Sequence, residues 1–210
     1  MKNIRNVFIV GLLAFTLPLF GQNKQKALAY YEDAMGLLES LDGPDKSIIN
    51  EAINLYKKAI GADSKCVVAY EQLASEYCSL NNIPQAVKYV DEGIHNNPDS
   101  PTLYLIKGVL CEDQQQVKEA KDFYIKAQSL FKKKFKPGTM TFDEVLYYAL
   151  TYYLLQNQDA AIDKFKQLAD QGAFSDADYE WFYPLGIDTL TNMELTDFID
   201  QSITNKYGLR

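Results

Sequence analysis

The groups in this chain that could do chemistry are few in kind: one histidine, three cysteines and 28 acidic residues. His95 stands in the stretch His95-Asn-Asn-Pro98. A hydrolytic triad needs a base, its orienting carboxylate and a nucleophile together, and a lone histidine in a connector reads as an exposed turn residue. Zinc chemistry needs several converging ligands. Cys66, Cys78 and Cys111 form no CxxC pair and no disulfide framework, so they read as small buried or groove-lining hydrophobes. The glycine-rich phosphate-binding motifs are absent. Glycoside hydrolysis needs two carboxylates across a cleft, and nothing singles out a pair; Glu112-Asp113 and Asp176/Asp178 read as solvated faces or helix N-terminal charges. The sequence therefore assigns no catalytic residue, no metal site and no cofactor. The one basic cluster, Phe131-Lys-Lys-Lys-Phe-Lys136, reads as an exposed helix end whose lysines favour the negative end of the dipole.

With chemistry set aside, the frame comes next. The 210 residues are 47% hydrophobic and 23% charged, enough for one folded unit with a real core. A net charge of −7 gives no general attraction for nucleic acid or anionic lipid. Lys2 and Arg5 precede an uncharged run from Val7 to Phe20, too short for a membrane span of about 20 residues and suited to a secretory signal. The expectation is a signal peptide over 1–21, export to a bacterial periplasm or cell envelope, and no stable membrane insertion after cleavage; an uncleaved anchor is the alternative.

The chain repeats. Ala52, Ala86 and Ala120 stand 34 residues apart, followed in step by Tyr56, Val90 and Tyr124 and by Ala59, Gly93 and Ala127. Tyr70 and Tyr104, and Ala74 and Gly108, keep the same step. Small, bulky and small residues at four- and three-residue spacing mark one face of a helix, where small residues let a neighbour approach and the bulky one fills the gap. A further unit carries Val145, Ala149 and Tyr152, then Ala161, Phe165 and Leu168, after an insertion of seven residues.

These positions resemble the tetratricopeptide repeat. Residues 67–100 match it best, with Tyr70, Leu73, Ala74 and Tyr77 in a first helix and Ala86, Val90, Gly93 and Pro98 in a second. Residues 101–134 depart at Lys107, Cys111 and Lys132. The resemblance covers roughly 25–172 and implies an all-α solenoid of about four antiparallel helix pairs. Punctuation agrees: Asn82-Ile-Pro-Gln85 offers a cap, a first-turn proline and a capping-box Gln; Asn157 and Gly172 flank another helix; Pro137-Gly138 ends the one before. The solenoid is expected over 22–174. Residues 175–210 are expected to supply capping helices near 176–183 and 192–204, headed by Ser175-Asp-Ala-Asp178 and Thr191-Asn-Met-Glu194. Trp181 and Phe182 would be core residues of that cap.

In this family the first helix of each unit lines the concave surface. That face carries Glu71, Gln72 and Ser75, then Leu105, Ile106, Val109 and Glu112, then Leu146, Tyr147, Leu150 and Tyr153. It begins polar, turns apolar and aromatic, and lacks the Lys, Arg and Asn set with which family members grip a terminal carboxylate. The implied activity is non-catalytic: an interaction or scaffold module holding another protein, as a peptide or helix, in the groove. The alternatives are a glycan-binding accessory protein of an envelope uptake system, with Trp181, Phe182 and Tyr183 stacking on sugar, or an enzyme. The C-terminal segment could instead fill the groove itself.

Overall fold

In the computed structural model the described residues are 21, 23–38 and 46–192, the side chains of 176 and 177 excepted. The signal segment and the expected helix beyond Asn192 lie outside them. Among the described residues the secondary structure is helical throughout: α1 (23–38), α2 (Lys46–Ala62), α3 (Val67–Ser79), α4 (Ile83–Asn96), α5 (Pro101–Asp113), α6 (Val117–Lys134), α7 (Phe142–Leu155), α8 (Gln158–Asp170) and α9 (Asp176–Asn192). The fold class is an all-α solenoid of antiparallel helix pairs. No described helix is long and apolar enough to cross a membrane.

The described chain divides into two compact units within α3, after Leu73. In the first, α2 buries Ala52, Tyr56 and Ala59 on one face. The Tyr56 hydroxyl donates to Met35 Sδ at 3.3 Å, and its ring lies 6.0 Å from that of Tyr31. In the second, α5 packs on α6, α7 on α6 and α8, and α9 on α8.

The 34-residue period is written into the turns as well as the core. α3 closes with Asn81 N–H donating to Cys78 C=O and Asn82 N–H to Tyr77 C=O; α5 closes with Gln115 N–H donating to Glu112 C=O and Gln116 N–H to Cys111 C=O. Both are Schellman closures, and each carries a non-glycine residue at positive φ, Asn81 at 54° and Gln115 at 63°. α8 ends the same way, with Gly172 at φ 78°. The connectors between pairs repeat too: Asp63 N–H to Ala59 C=O and Cys66 N–H to Asp63 C=O recur as Asn97 to Gly93 and Ser100 to Asn97.

The seven inserted residues split between helix and loop. α6 has 18 residues against 14 in α4, one extra turn, and the remaining three lengthen the connector to α7. α7 opens with a full capping box, Glu144 N–H donating to Thr141 Oγ1 and Thr141 N–H to Glu144 Oε2, both at 3.2 Å.

Two expectations about punctuation need correction. Asn82 heads α4 without a side-chain cap: its backbone, at φ −109° and ψ 62°, lacks the extended conformation of a capping residue. The C-terminal aromatic stretch is not a break between two helices: α9 runs unbroken from Asp176 to Asn192 with Pro184 inside it. Pro184 leaves the Glu180 carbonyl without its helical donor, and Glu180 is exposed, where water can serve it. Thr191 lies in the last turn of α9, its hydroxyl donating to Ile187 C=O at 2.7 Å, instead of starting a new helix.

Candidate functional site

The first helices α5 and α7 position the expected groove face. Each carries apolar residues on more than a single stripe, so one side must meet its own second helix while another remains available. Gly108 makes the first contact possible: a Cβ there would lie 2.5 Å from Tyr124 Cδ1 and closer still to Cε1. Tyr124 is buried, and its hydroxyl donates to Glu112 Oε2 at 2.6 Å. Burial, with Glu112 as acceptor, holds the Tyr124 hydroxyl well above its ordinary range, so it stays protonated as a donor. Glu112 is thereby fixed at the C-terminal end of α5, with exposed Asp113 beside it.

The structure separates the predicted groove residues into two groups. Leu105, Val109 and Leu150 are buried, at 3%, 2% and 0% exposure. They form a floor between α5, α6 and α7 together with Cys111, Ala120, Tyr124 and Ala127. Expected on the groove face from the family resemblance, they are core residues: α7 leans on α5 as well as on α6, and that second contact consumes them. Ser75, Ile106, Glu112, Leu146, Tyr147 and Tyr153 are half-buried and keep accessible surface. Tyr147, Tyr153, Leu154 and Cys78 pack against the floor from its edge. Glu71 and Gln72 belong to the first unit, where both are half-buried.

The three thiols are poor nucleophiles. Burial pushes Cys78 up to about 12, with Asp113 adding to it, and raises Cys111 and Cys66 as well. All three are free. His95 is exposed in the last turn of α4. Among the described residues no group of three or more His, Cys, Asp or Glu side chains could hold a metal ion. Lys107, which departs from the repeat pattern, is paired with Asp91 of α4 at 2.7 Å. Of the basic cluster, Phe131 is core, the lysines of the last turn are exposed, and Lys134 pairs with Glu144 across the connector.

The aromatic candidates on α9 do not form one platform. Trp181 is 78% exposed, which overturns its assignment to the core. Phe182 stacks on Phe142 at 4.9 Å and Tyr183 on Tyr179 at 4.8 Å, both on the side that meets α7 and α8. One helical step of about 100° separates Trp181 from Phe182, which suffices to turn the tryptophan outward.

One polar group escaped the sequence reading. Glu76 of α3 is 1% exposed, and its Oε1 has no hydrogen-bond partner. Burial pushes its carboxyl up to about 7. The signal was available in the repeat: the residue 34 positions on is the buried Leu110.

The 34-residue recurrence of helix pairs, turn closures and small-against-large contacts defines a tetratricopeptide-like fold. No protein-family model matches the chain, and no curated protein matches it. Among solved structures it is similar to the first TPR of Spaghetti (RPAP3) bound to an HSP90 peptide, at 20% identity over 70% of this chain and 93% of that one, with a TM-score of 0.43. It is similar to YrrB, a TPR protein with an unusual peptide-binding site, at 19% identity over 90% of each chain and a TM-score of 0.41. MamA shows 18% identity over 77% of this chain and 90% of its own, with a TM-score of 0.37.

Proposed function

We propose that this protein is an exported, non-catalytic interaction module that holds a peptide or helix of another protein along its first helices. The observation that carries the reading is the rim above the Leu105, Val109 and Leu150 floor, where Tyr147, Tyr153, Leu154 and Cys78 are packed at one edge and accessible at the other. Half-buried tyrosines on a rigid floor offer contact area with little side-chain entropy left to lose. Glu112 and Asp113 place negative charge at the C-terminal end of α5, beside that rim. A ligand with apolar side chains and a neutral or basic flank fits this chemistry better than one presenting a carboxylate.

The test is capture from an envelope extract of the native host by immobilised full-length protein, read by mass spectrometry. Tyr153→Asp should remove the captured protein and Asp113→Lys should weaken its retention, with helical circular dichroism unchanged in both. Equal capture by the wild type and both variants would refute the assignment. Leu150→Asp is unsuitable, since it would place a charge in the core.

A further inference from the structure

The extra turn of α6 brings the basic cluster against α7 and α8, away from the docking rim. Counted against the 14 residues of α4, the added turn is 131–134. Its Phe131 stacks on Tyr148 of α7, ring centroids 5.5 Å apart, and Lys132 follows directly on that contact. Lys164 of α8 reaches the same tyrosine: its Nζ lies 4.8 Å from the Tyr148 ring centroid and 5.4 Å from that of Tyr152. No carboxylate answers these two lysines. Lys107 and Lys134 have ion pairs, with Asp91 and Glu144; among the described residues Lys132 and Lys164 have none. Asp163, next to Lys164 in the chain, is exposed and pairs with neither. Lys164 Nζ donates only to a neutral acceptor, Gln167 Oε1 at 3.0 Å. A further donor stands one turn before Lys132, on the same side of α6: Gln128 Nε2 is enclosed and has no hydrogen-bond partner. Lys164 is half-buried, and burial, with the Lys132 charge adding to it, lowers its ammonium from the ordinary range.

We propose that Lys132 and Lys164 hold a phosphate group between them, beside the Tyr148 and Tyr152 rings. Two cations without a counter-charge match the charge of about −1.5 to −2 on a phosphate monoester better than the single charge of a carboxylate. Lysine binds phosphate as a point charge, so the forked geometry of arginine is not required. The tyrosine faces attract the Lys164 ammonium and hold it in place, so part of the ordering cost is met before a ligand arrives. The attraction is local, because a chain of net charge −7 repels anions at long range. A small phosphate ester, free phosphate and the headgroup of an anionic lipid all present the group this site takes.

The full-length protein is titrated with potassium phosphate at pH 8 and constant ionic strength, by calorimetry. In a second arm it is sedimented with phosphatidylcholine vesicles with and without phosphatidic acid. Saturable binding of free phosphate supports the site with a small ligand, and retention on the phosphatidic acid vesicles alone supports it with a lipid headgroup. Lys164→Met keeps an unbranched stem over the rings and should weaken binding about tenfold or more. Lys132→Gln, at an exposed position, should weaken it several-fold. Lys133→Gln should leave it unchanged, since Lys133 is exposed and turned about 100° from Lys132. The proposal is overturned if neither arm shows saturable binding, or if acetate at the same ionic strength competes as well as phosphate. It is equally overturned if Lys132→Gln and Lys133→Gln bind alike, which would reduce the effect to general positive charge. Should Lys164→Met fail to fold, the comparison of Lys132→Gln with Lys133→Gln decides the matter.

Discussion

Replacing Gly108 by alanine tests whether the close approach of α5 and α6 is what the repeat pattern is for. The added Cβ would lie 2.5 Å from Tyr124 Cδ1 and 3.1 Å from Cζ, where real Cβ contacts are essentially never under 3.0 Å. The Tyr124 ring is buried and cannot swing to solvent, and moving it strains the 2.6 Å hydrogen bond to Glu112. Overpacking of this kind costs about 1–3 kcal/mol. Losing a hydrogen bond to a charged group costs about 1.5–3 kcal/mol, though part of that strain is the same event. Against this, alanine improves on glycine in a helix by about 1 kcal/mol. The clash wins, and the expected net loss is about 2 kcal/mol, a fall in melting temperature of roughly 4–8 °C for a chain of this size. Urea unfolding followed at 222 nm measures it, with coincidence of a second probe as the check on two-state behaviour. Gly61→Ala is the control: nothing lies within 4 Å of its Cβ, so only the helix-propensity gain remains. In a Tyr124→Leu background Gly108→Ala should cost little, giving a coupling of about 1 kcal/mol or more. If Gly108→Ala alone is as stable as the native protein, the small-against-large argument for this pair is wrong.

Gly186→Ala should lose about 1–3 kcal/mol for the same reason, because its Cβ would fall 2.6 Å from both Phe165 Cε atoms; a chemical melt reads it. Thr141→Ala removes the capping box of α7 and should lower stability by about 1 kcal/mol, measured in the same way. Glu76 gives a pH signature. Its folded carboxyl is raised to about 7, above the unfolded value, so the native state binds the extra proton between about pH 4.5 and 7 and stability falls as pH rises through that window. Glu76→Gln should flatten that slope and stabilise the protein at pH 8 by about 1–3 kcal/mol, read as the urea midpoint at pH 5.5 and pH 8.

The fold was legible because the repeat encodes it redundantly. Ala120, Tyr124 and Ala127 announce a helix face, Gly108 announces the partner that must come close, and Gly172 announces the end of α8; each reading supports the others. Other local signals are as plain: Thr141-Phe-Asp-Glu144 has the same capping pattern as Ser175-Asp-Ala-Asp178, and it heads α7. Pro184 does not end α9: a proline within a helix costs one hydrogen bond, and the packing of Phe182, Gly186 and Leu190 against α7 and α8 outweighs that loss.

The groove shows where sequence periodicity stops being informative. A helical wheel assigns each residue a direction and says nothing of how many neighbours the helix has. α7 touches α5, α6, α8 and α9, so its apolar positions serve several contacts in turn. Leu150 and Tyr153 lie three residues apart and fall on neighbouring directions of the same wheel. Leu150 is sealed at 0% exposure, while Tyr153 keeps an open edge. Leu150 belongs to the floor shared with α5 and α6, while Tyr153 packs against that floor from its edge. On the proposed reading Leu105, Val109 and Leu150 hold the floor in place, and conservative changes there should alter stability before they alter capture. Substitutions at Tyr147 and Tyr153 should do the reverse, and that ordering is what distinguishes a docking rim from a core that happens to be aromatic.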